Sequence, residues 1–432
     1  FSNKLGYLKK TIVIALFVWI SFFPPPIQDQ YWIYVRIFFG VFLLILILNK
    51  KYLRFLFSFQ DWPLWLFLIC LLSGIVSATD KSVALRTYLY LVTTFLPLFY
   101  IGKYLYGSDK NINMVSMVIC ICAGLVALIG LMELYFGKNI LYENFIFNPY
   151  YEKYVRFNPR PMGTQFHPVV LGSYLLGCLP FSFSLFRKKS LCLKLLGILI
   201  SLLCAIVIML TPCRGVHLGF VALLLFYLWK RQKKRFFILF LFCLILLIMI
   251  FSYQKDSNLY RFEFGRIILG SDEGIISEYG LRKINLTLKV LICRSNMTLK
   301  ILKDYPFFGI GLNHFRIRFN AYYDKATEAP EIYDFQIPDN MYFTFLAETG
   351  IVGTLAFLIF IFSLLKRGLR QFSEFKDENK KYSLLILMSA LIGFLINMGA
   401  YDLFYWNNPY ALFCLVCGFI QGLLKKSSVV KA

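Results

Sequence analysis

Residues 194–235 read KLLGILISLLCAIVIMLTPCRGVHLGFVALLLFYLWKRQKKR: two apolar runs, near 195–211 and 215–229, that meet at the short polar hairpin Thr211-Pro-Cys-Arg-Gly215. Lys194 stands before the first run, and Lys230, Arg231, Lys233, Lys234 and Arg235 follow the second. Each run is close to the length, roughly 17–25 residues, that crosses a hydrocarbon core of about 30 Å as a helix. Cations massed at one pair of ends, with a lone Arg at the other, are the signature of a membrane hairpin whose basic ends stay in the cytoplasm.

The same pattern repeats along all 432 residues. About twelve apolar stretches qualify, near 8–23, 31–49, 62–78, 84–102, 112–136, 168–186, 195–211, 215–229, 236–252, 341–365, 383–400 and 408–424. With the N-terminus inside, the inside segments carry 26 Lys and Arg, Lys103 among them, and the short outside loops carry six. That asymmetry sets both termini in the cytoplasm. The stretch 253–339 is the exception to short loops; its twelve Lys/Arg nearly balance eleven Asp/Glu, and long translocated segments escape the bias. The expected fold is therefore an all-α polytopic membrane protein with about twelve spans and one large outer, periplasmic loop before the last three. Residues 1–252 hold nine spans, 253–339 form the loop subdomain, and 340–432 complete the membrane domain.

Composition agrees: 59% hydrophobic, 19% aromatic and 16% charged, with mean hydropathy +0.66, describe a chain that water cannot dissolve. The formal charge of +23 would suit nucleic acid, but the cations sit at span ends and report topology, so nucleic acid is excluded as a partner. The first span has the basic flank and apolar core of a signal peptide, yet Ser21-Phe-Phe-Pro-Pro-Pro26 offers no small-x-small cleavage site, and a retained helix is expected. Most of the eleven cysteines fall in or beside apolar spans, where they read as small packing residues. Cys414 and Cys417 have metal-like spacing but no second pair or His nearby, so no metal site is expected; Cys213 and Cys293, on the outer side, could pair.

Chemistry in such a chain is sought among polar groups held where they are costly. The segment Arg160-Pro-Met-Gly-Thr-Gln-Phe-His-Pro168 leads into a span, with Pro168 suited to a first helical turn. Arg160 and His167 there either face a polar substrate or belong to a turn and cap. Arg214, in the hairpin, keeps its charge and needs anions, either a forked phosphate or a lipid headgroup. Leu281, Ile284, Leu288, Leu291, Ile292, Ile301 and Leu302 recur at helical spacing and predict an amphipathic helix across 278–303 that rests on the membrane domain. Arg294 within it could share a diphosphate with Arg214, or lie on a solvated face. His314, after the turn-rich stretch from Lys303, could be a base near neutral pH or a packing residue. Asp339 and Asn340 can cap the helix that follows, and the same carboxylate could accept a proton from an attacking hydroxyl. Glu348 lies about two turns deep and calls for a buried partner. Tyr150, Tyr151, Tyr322, Tyr323 and Tyr342 could stack on sugar rings or be interface residues.

Together, Gly163-Thr164 with His167-Pro168, Thr211-Pro-Cys-Arg-Gly215, Asp304-Tyr-Pro-Phe-Phe-Gly-Ile-Gly311, and Asp339-Asn340 with Glu348-Thr-Gly350 resemble the motifs of the O-antigen ligase and O-antigen polymerase family of bacterial envelope glycosyltransferases. The resemblance implies a bacterial inner-membrane enzyme that moves a polyprenyl (undecaprenyl) diphosphate-linked oligosaccharide to an acceptor hydroxyl on the outer face, by inversion and without a metal or further cofactor. It implies that Arg214 and Arg294 grip the diphosphate; from the residues themselves, Arg160, His167, His314, Asn340 and Tyr342 are the expected substrate contacts. Two departures stand out: Cys213 replaces the commoner serine, and Asp339-Asn340 replaces the His-Asn pair of ligases. The second fits a polymerase, whose acceptor is another lipid-linked glycan and which works with a chain-length regulator; the alternative is a ligase acting on lipid A core. A secondary transporter or lipid-linked sugar flippase is the rival from another class, since Arg36 and Arg86 lie inside spans.

Overall fold

The computed structural model of the chain describes residues 14–22, 58–106, 109–139, 160–165, 167–211, 213–231, 292–323 and 336–425. All regular structure among them is helical. In chain order the helices are α1 (14–22), α2 (Phe59–Val76), α3 (Lys81–Tyr106), α4 (Asp109–Phe136), α5 (Pro168–Ser182), α6 (Leu191–Leu210), α7 (Arg214–Lys230), α8 (292–304), α9 (Phe315–Tyr322), α10 (Met341–Glu374), α11 (Glu378–Asn397) and α12 (Asn407–Lys425). Eight are long and apolar enough to cross a membrane: α2 to α6 and α10 to α12. The run predicted at 215–229 is α7, shorter at 17 residues. The spans expected at 31–49 and 236–252, most of the outer loop, Arg36, Tyr150 and Tyr151 lie outside the described residues.

α12 stands at the centre, its apolar window wholly buried. It lies flush along α3 because Gly418 and Gly422, four apart, put no side chain between the two backbones; a Cβ at either would strike the Phe99 or Lys103 carbonyl. Around them the phenyl rings interlock, Phe67 meeting Phe357 at 5.4 Å, Phe345 at 5.8 Å and Phe404 at 6.4 Å between centroids. One cation of the topological count is misplaced by the sequence reading. Lys103 is not in a loop but fully buried in α3, ion-paired with the equally buried Asp61, whose other oxygen accepts from Gln421 Nε2 at 2.8 Å. A charge pair closed in this way escapes the cost of an isolated ion in the bundle.

α10 is broken at Gly350, where φ 64° and ψ −163° leave the helical region. Only glycine takes that conformation readily. The Pro306-to-Leu312 loop fits into the break: the Ile310 and Gly311 N–H groups donate to the Ala347 and Glu348 carbonyls at 2.9 and 3.0 Å, and those of Ile351 and Val352 donate to Pro306 and Phe307 at 2.9 and 3.2 Å. Every backbone group freed by the break thus named finds a partner, as a membrane-embedded break requires.

α8 occupies the C-terminal part of the predicted amphipathic helix, and its packed face keeps Ile301 of the expected one but not Ile292. Cys293, Met297 and Ile301 are buried against Ile310, Phe315, Phe319 and Ala347, whereas Ile292 is 56% exposed. Arg294 and Thr298 share the buried face. Arg294 on that face is ion-paired with Asp339, a contact that hydrophobic spacing does not register. Cys213 and Cys293 are both free thiols.

Candidate functional site

Four segments distant in sequence meet at one end of the bundle, around the connection 398–406 between α11 and α12. Gly215, at the start of α7, abuts Asn397 and Ala400; a Cβ there would lie 2.8 Å from Asn397 Oδ1 and 3.0 Å from the Ala400 methyl. Asn340 is the N-cap of α10, accepting from the Tyr342 and Phe343 N–H groups at 3.0 and 3.2 Å, while its amide donates to the Gly399 carbonyl at 2.8 Å. Asp339, held at φ 49°, donates its backbone N–H to Asp402 Oδ2 at 3.0 Å. Its own carboxylate takes Arg294 Nη1 of α8 at 2.7 Å, in an ion pair whose guanidinium side is 9% exposed and whose carboxylate side is 44% exposed.

Asp402 is buried, and its Oδ1 accepts from the Thr344 hydroxyl. Burial pushes its carboxyl up to about 6 from the ordinary 3.8; the Thr344 hydroxyl works the other way, the Asp339 charge adds to the rise, and Arg294 opposes it. The Cys213 thiol is pushed up to about 11, chiefly by burial, with the Asp339 carboxylate contributing. The field of Asp339 therefore reaches the residue next to Arg214.

Beside this network opens a cavity of about 300 Å³ lined by Arg316, Phe315, Glu348, Asp402, Tyr405 and Trp406. The volume is at the small end of ligand sites, enough for a sugar unit. Glu348 reaches it from α10 and has the partners its depth demands: the Tyr405 hydroxyl, the Asn313 N–H at 2.8 Å and the Phe315 N–H at 3.3 Å. Trp406 packs near two rings, His167 at 5.2 Å and Tyr401 at 6.1 Å between centroids. Phe315, Arg316, Tyr405 and Trp406 combine apolar faces with a fixed positive charge, an arrangement suited to a sugar ring carrying or approaching an anion.

The residues singled out from sequence separate into two sets. Arg294, Asp339, Asn340 and Glu348 are brought together; Arg214 is exposed at the first turn of α7 on the same end, without an ion-pair partner among the described residues. His167 sits at the rim, capping α5 through Nδ1, which accepts from the Val169 N–H at 3.3 Å. Arg160 is half-buried at the head of the segment whose Gly163 N–H donates to Glu133 at 2.6 Å. Two candidates face elsewhere. His314 is wholly buried, with Nδ1 donating to the Leu312 carbonyl at 2.8 Å and Nε2 accepting from the Asp80 N–H at 3.0 Å, so its ring pins the loop and is not open to substrate. Tyr342 turns its hydroxyl inward to the Leu395 carbonyl at 2.7 Å. Tyr322 donates to Asp304 at 2.9 Å and Tyr323 stacks on Phe319 at 5.2 Å, which keeps both with the loop. Among the described residues no group of three or more His, Cys, Asp and Glu suited to a metal ion occurs.

Arg316, Asp402, Tyr405 and Trp406 escaped the sequence reading. The signal was present in Tyr401-Asp-Leu-Phe-Tyr-Trp406, an acidic and aromatic run between two spans that was read only as a loop free of cations.

A multi-pass helical membrane protein that gathers charged and aromatic groups at one end of its bundle is thereby defined. Residues 199–358, from α6 to the first half of α10, match the model of a family described as O-antigen ligase. The match supports a membrane role in transferring glycan during O-antigen or polysaccharide assembly. A comparison with curated proteins returns no match.

Proposed function

We propose that this end of the bundle faces the periplasm of a bacterial inner membrane and joins a polyprenyl diphosphate-linked oligosaccharide to a hydroxyl of a second lipid-linked glycan, as a surface-polysaccharide polymerase. The observation that carries the proposal is the Arg294–Asp339 ion pair, anchored through Asp402 beside a cavity with an aromatic and cationic lining. Arg214, exposed at a helix N-terminus, takes oxygens of the undecaprenyl diphosphate, where the helix end adds to its charge. Arg294 aims the Asp339 carboxylate at the acceptor. The acceptor oxygen attacks the anomeric carbon, the bond from that carbon to the diphosphate oxygen breaks, the hydroxyl proton passes to Asp339, and polyprenyl diphosphate leaves with inversion. Fixed guanidinium groups in a partly dehydrated site stabilise the charge that grows on the leaving group. Acceptor rings stack at Trp406, and a chain-length regulator is the expected protein partner.

Ligation onto lipid A core is the second reading, favoured by the description of the matching family. Purified full-length protein in proteoliposomes, given a lipid-linked repeat and no other acceptor, should produce a ladder of longer lipid-linked glycans. Absence of the ladder, with transfer once core acceptor is added, assigns the ligase reaction. Transport fits less well because Arg86 is exposed on the surface of α3 and does not face the interior. Turnover without a gradient, on substrate supplied at the outer side, is the result that would exclude it.

A further inference from the structure

α7 runs about 26 Å from the candidate site to the opposite end of the bundle. There a cavity of about 400 Å³ opens among the ends of four segments that the fold brings together, three of which supply cations. Arg187 enters from the turn after α5, Lys230 and Arg231 from the end of α7, and Lys381 from the first turns of α11, with Glu378 as the one carboxylate in the lining among the described residues. Lys381 is 3.8 Å from Glu378, too long and too exposed a pair to cancel the excess.

The cations are held over an aromatic floor. Arg187 lies over the Tyr382 ring at 5.1 Å and Arg231 over the same ring at 5.5 Å, while Arg231 Nη1 donates to the Tyr227 hydroxyl at 2.7 Å. Tyr382 is itself fixed, donating to the Phe183 carbonyl at 2.8 Å. Arg187 donates to the Glu378 carbonyl at 2.8 Å. Lys230 rests on Trp229 at 4.1 Å, and that indole is 58% exposed, as suits a ring at the lipid interface. Positive-inside anchoring alone asks for cations near span ends; it does not ask that cations from three segments converge on one cavity with their guanidinium planes fixed by tyrosines. Convergence of that kind recognises phosphate.

We propose that this cavity binds the phosphate headgroup of an anionic phospholipid from the leaflet opposite the candidate active site. Trp229 and the apolar flanks of α7 mark where the acyl chains run, and the cavity takes the phosphate between Arg187, Arg231, Lys230 and Lys381.

Full-length protein in nonionic detergent is titrated by native mass spectrometry with cardiolipin, phosphatidylglycerol and phosphatidylcholine, with inorganic phosphate as a soluble competitor. Both anionic lipids should bind at least about tenfold more tightly than phosphatidylcholine, and millimolar phosphate should not displace them. The Arg187→Gln, Arg231→Gln double variant should lose that preference. If it fails to accumulate, Lys230→Gln with Lys381→Gln, whose ammonium groups rest on Trp229 and Phe372, should weaken it several-fold. Equal binding of phosphatidylcholine, or an unchanged preference in the variants, overturns the proposal; full displacement by inorganic phosphate replaces the lipid by a free anion and overturns it too.

Discussion

Asp402 carries two of the contacts that hold the site, to the Asp339 N–H and the Thr344 hydroxyl, and it does so against the cost of burial. Its raised pKa fixes the sign of a pH effect. A group with its folded pKa above the unfolded one favours the fold when protonated, so this contribution is complete below about 3.8 and is lost as pH rises through about 6. Wild type should therefore gain thermal stability relative to Asp402→Asn as pH falls from 7 to 4, measured in detergent; a constant difference across that range removes Asp402 as the titrating group. For the guanidinium groups, Arg214→Ala and Arg294→Ala should each lower transfer by about 10²–10³ with membrane insertion intact, and Arg→Lys should recover little because a forked donor becomes a point charge. A wild-type rate in either alanine variant takes that residue out of the reaction. Arg294 and Asp339 were legible in the sequence as costly polar groups. Their union was not, since they are 45 positions apart and nothing local links them. His314 shows the converse: a side chain chemically fit for catalysis spends both ring nitrogens on backbone groups.

The break in α10 explains why Asp304-Tyr-Pro-Phe-Phe-Gly-Ile-Gly311 and Glu348-Thr-Gly350 matter to each other. A Cβ at Gly309 would lie 2.5 Å from the Ala347 carbonyl oxygen, and one at Gly350 would collide with Phe307. Gly350→Ala should cost about 1–3 kcal/mol from backbone conformation, with the collision added, and should lower both the melting temperature and transfer. Gly137→Ala, at an equally positive φ but with open space around it, supplies the comparison that separates strain from crowding. Glu348→Ala strands the Tyr405 hydroxyl and two backbone donors, at about 1–3 kcal/mol for each. Glycines at both places were visible as turn signals, yet no rule of spacing says that a loop will lodge inside a later helix. The register of α8 was hidden for a related reason: hydrophobic periodicity counts apolar residues, whereas Arg294 turns inward to the Asp339 carboxylate and Thr298 is buried by packing.

Across the chain, the positions of the apolar runs were the most legible property, because burial in lipid needs length and hydropathy and little else. Eight runs stand as long apolar helices, with α7 beside them. The sidedness that follows from the cation bias can be checked with a membrane-impermeant thiol reagent on intact cells in a Cys192→Ser background. Tyr135→Cys, at an 85% exposed position, should label from outside, and Glu378→Cys only after permeabilisation. The reverse pattern inverts the topology and moves the candidate site to the cytoplasm. Lys103 escaped because a Lys at the end of an apolar run looks like an anchor until its carboxylate is found on another helix.

The lodging of the Pro306-to-Leu312 loop in α10 also bears on how the chain matures. The two halves of α10 leave carbonyls and amides that the preceding loop saturates. A helix completed by a loop that precedes it in the chain cannot reach its final form by its own hydrogen bonding, so the seating of that loop and the finishing of α10 are one event.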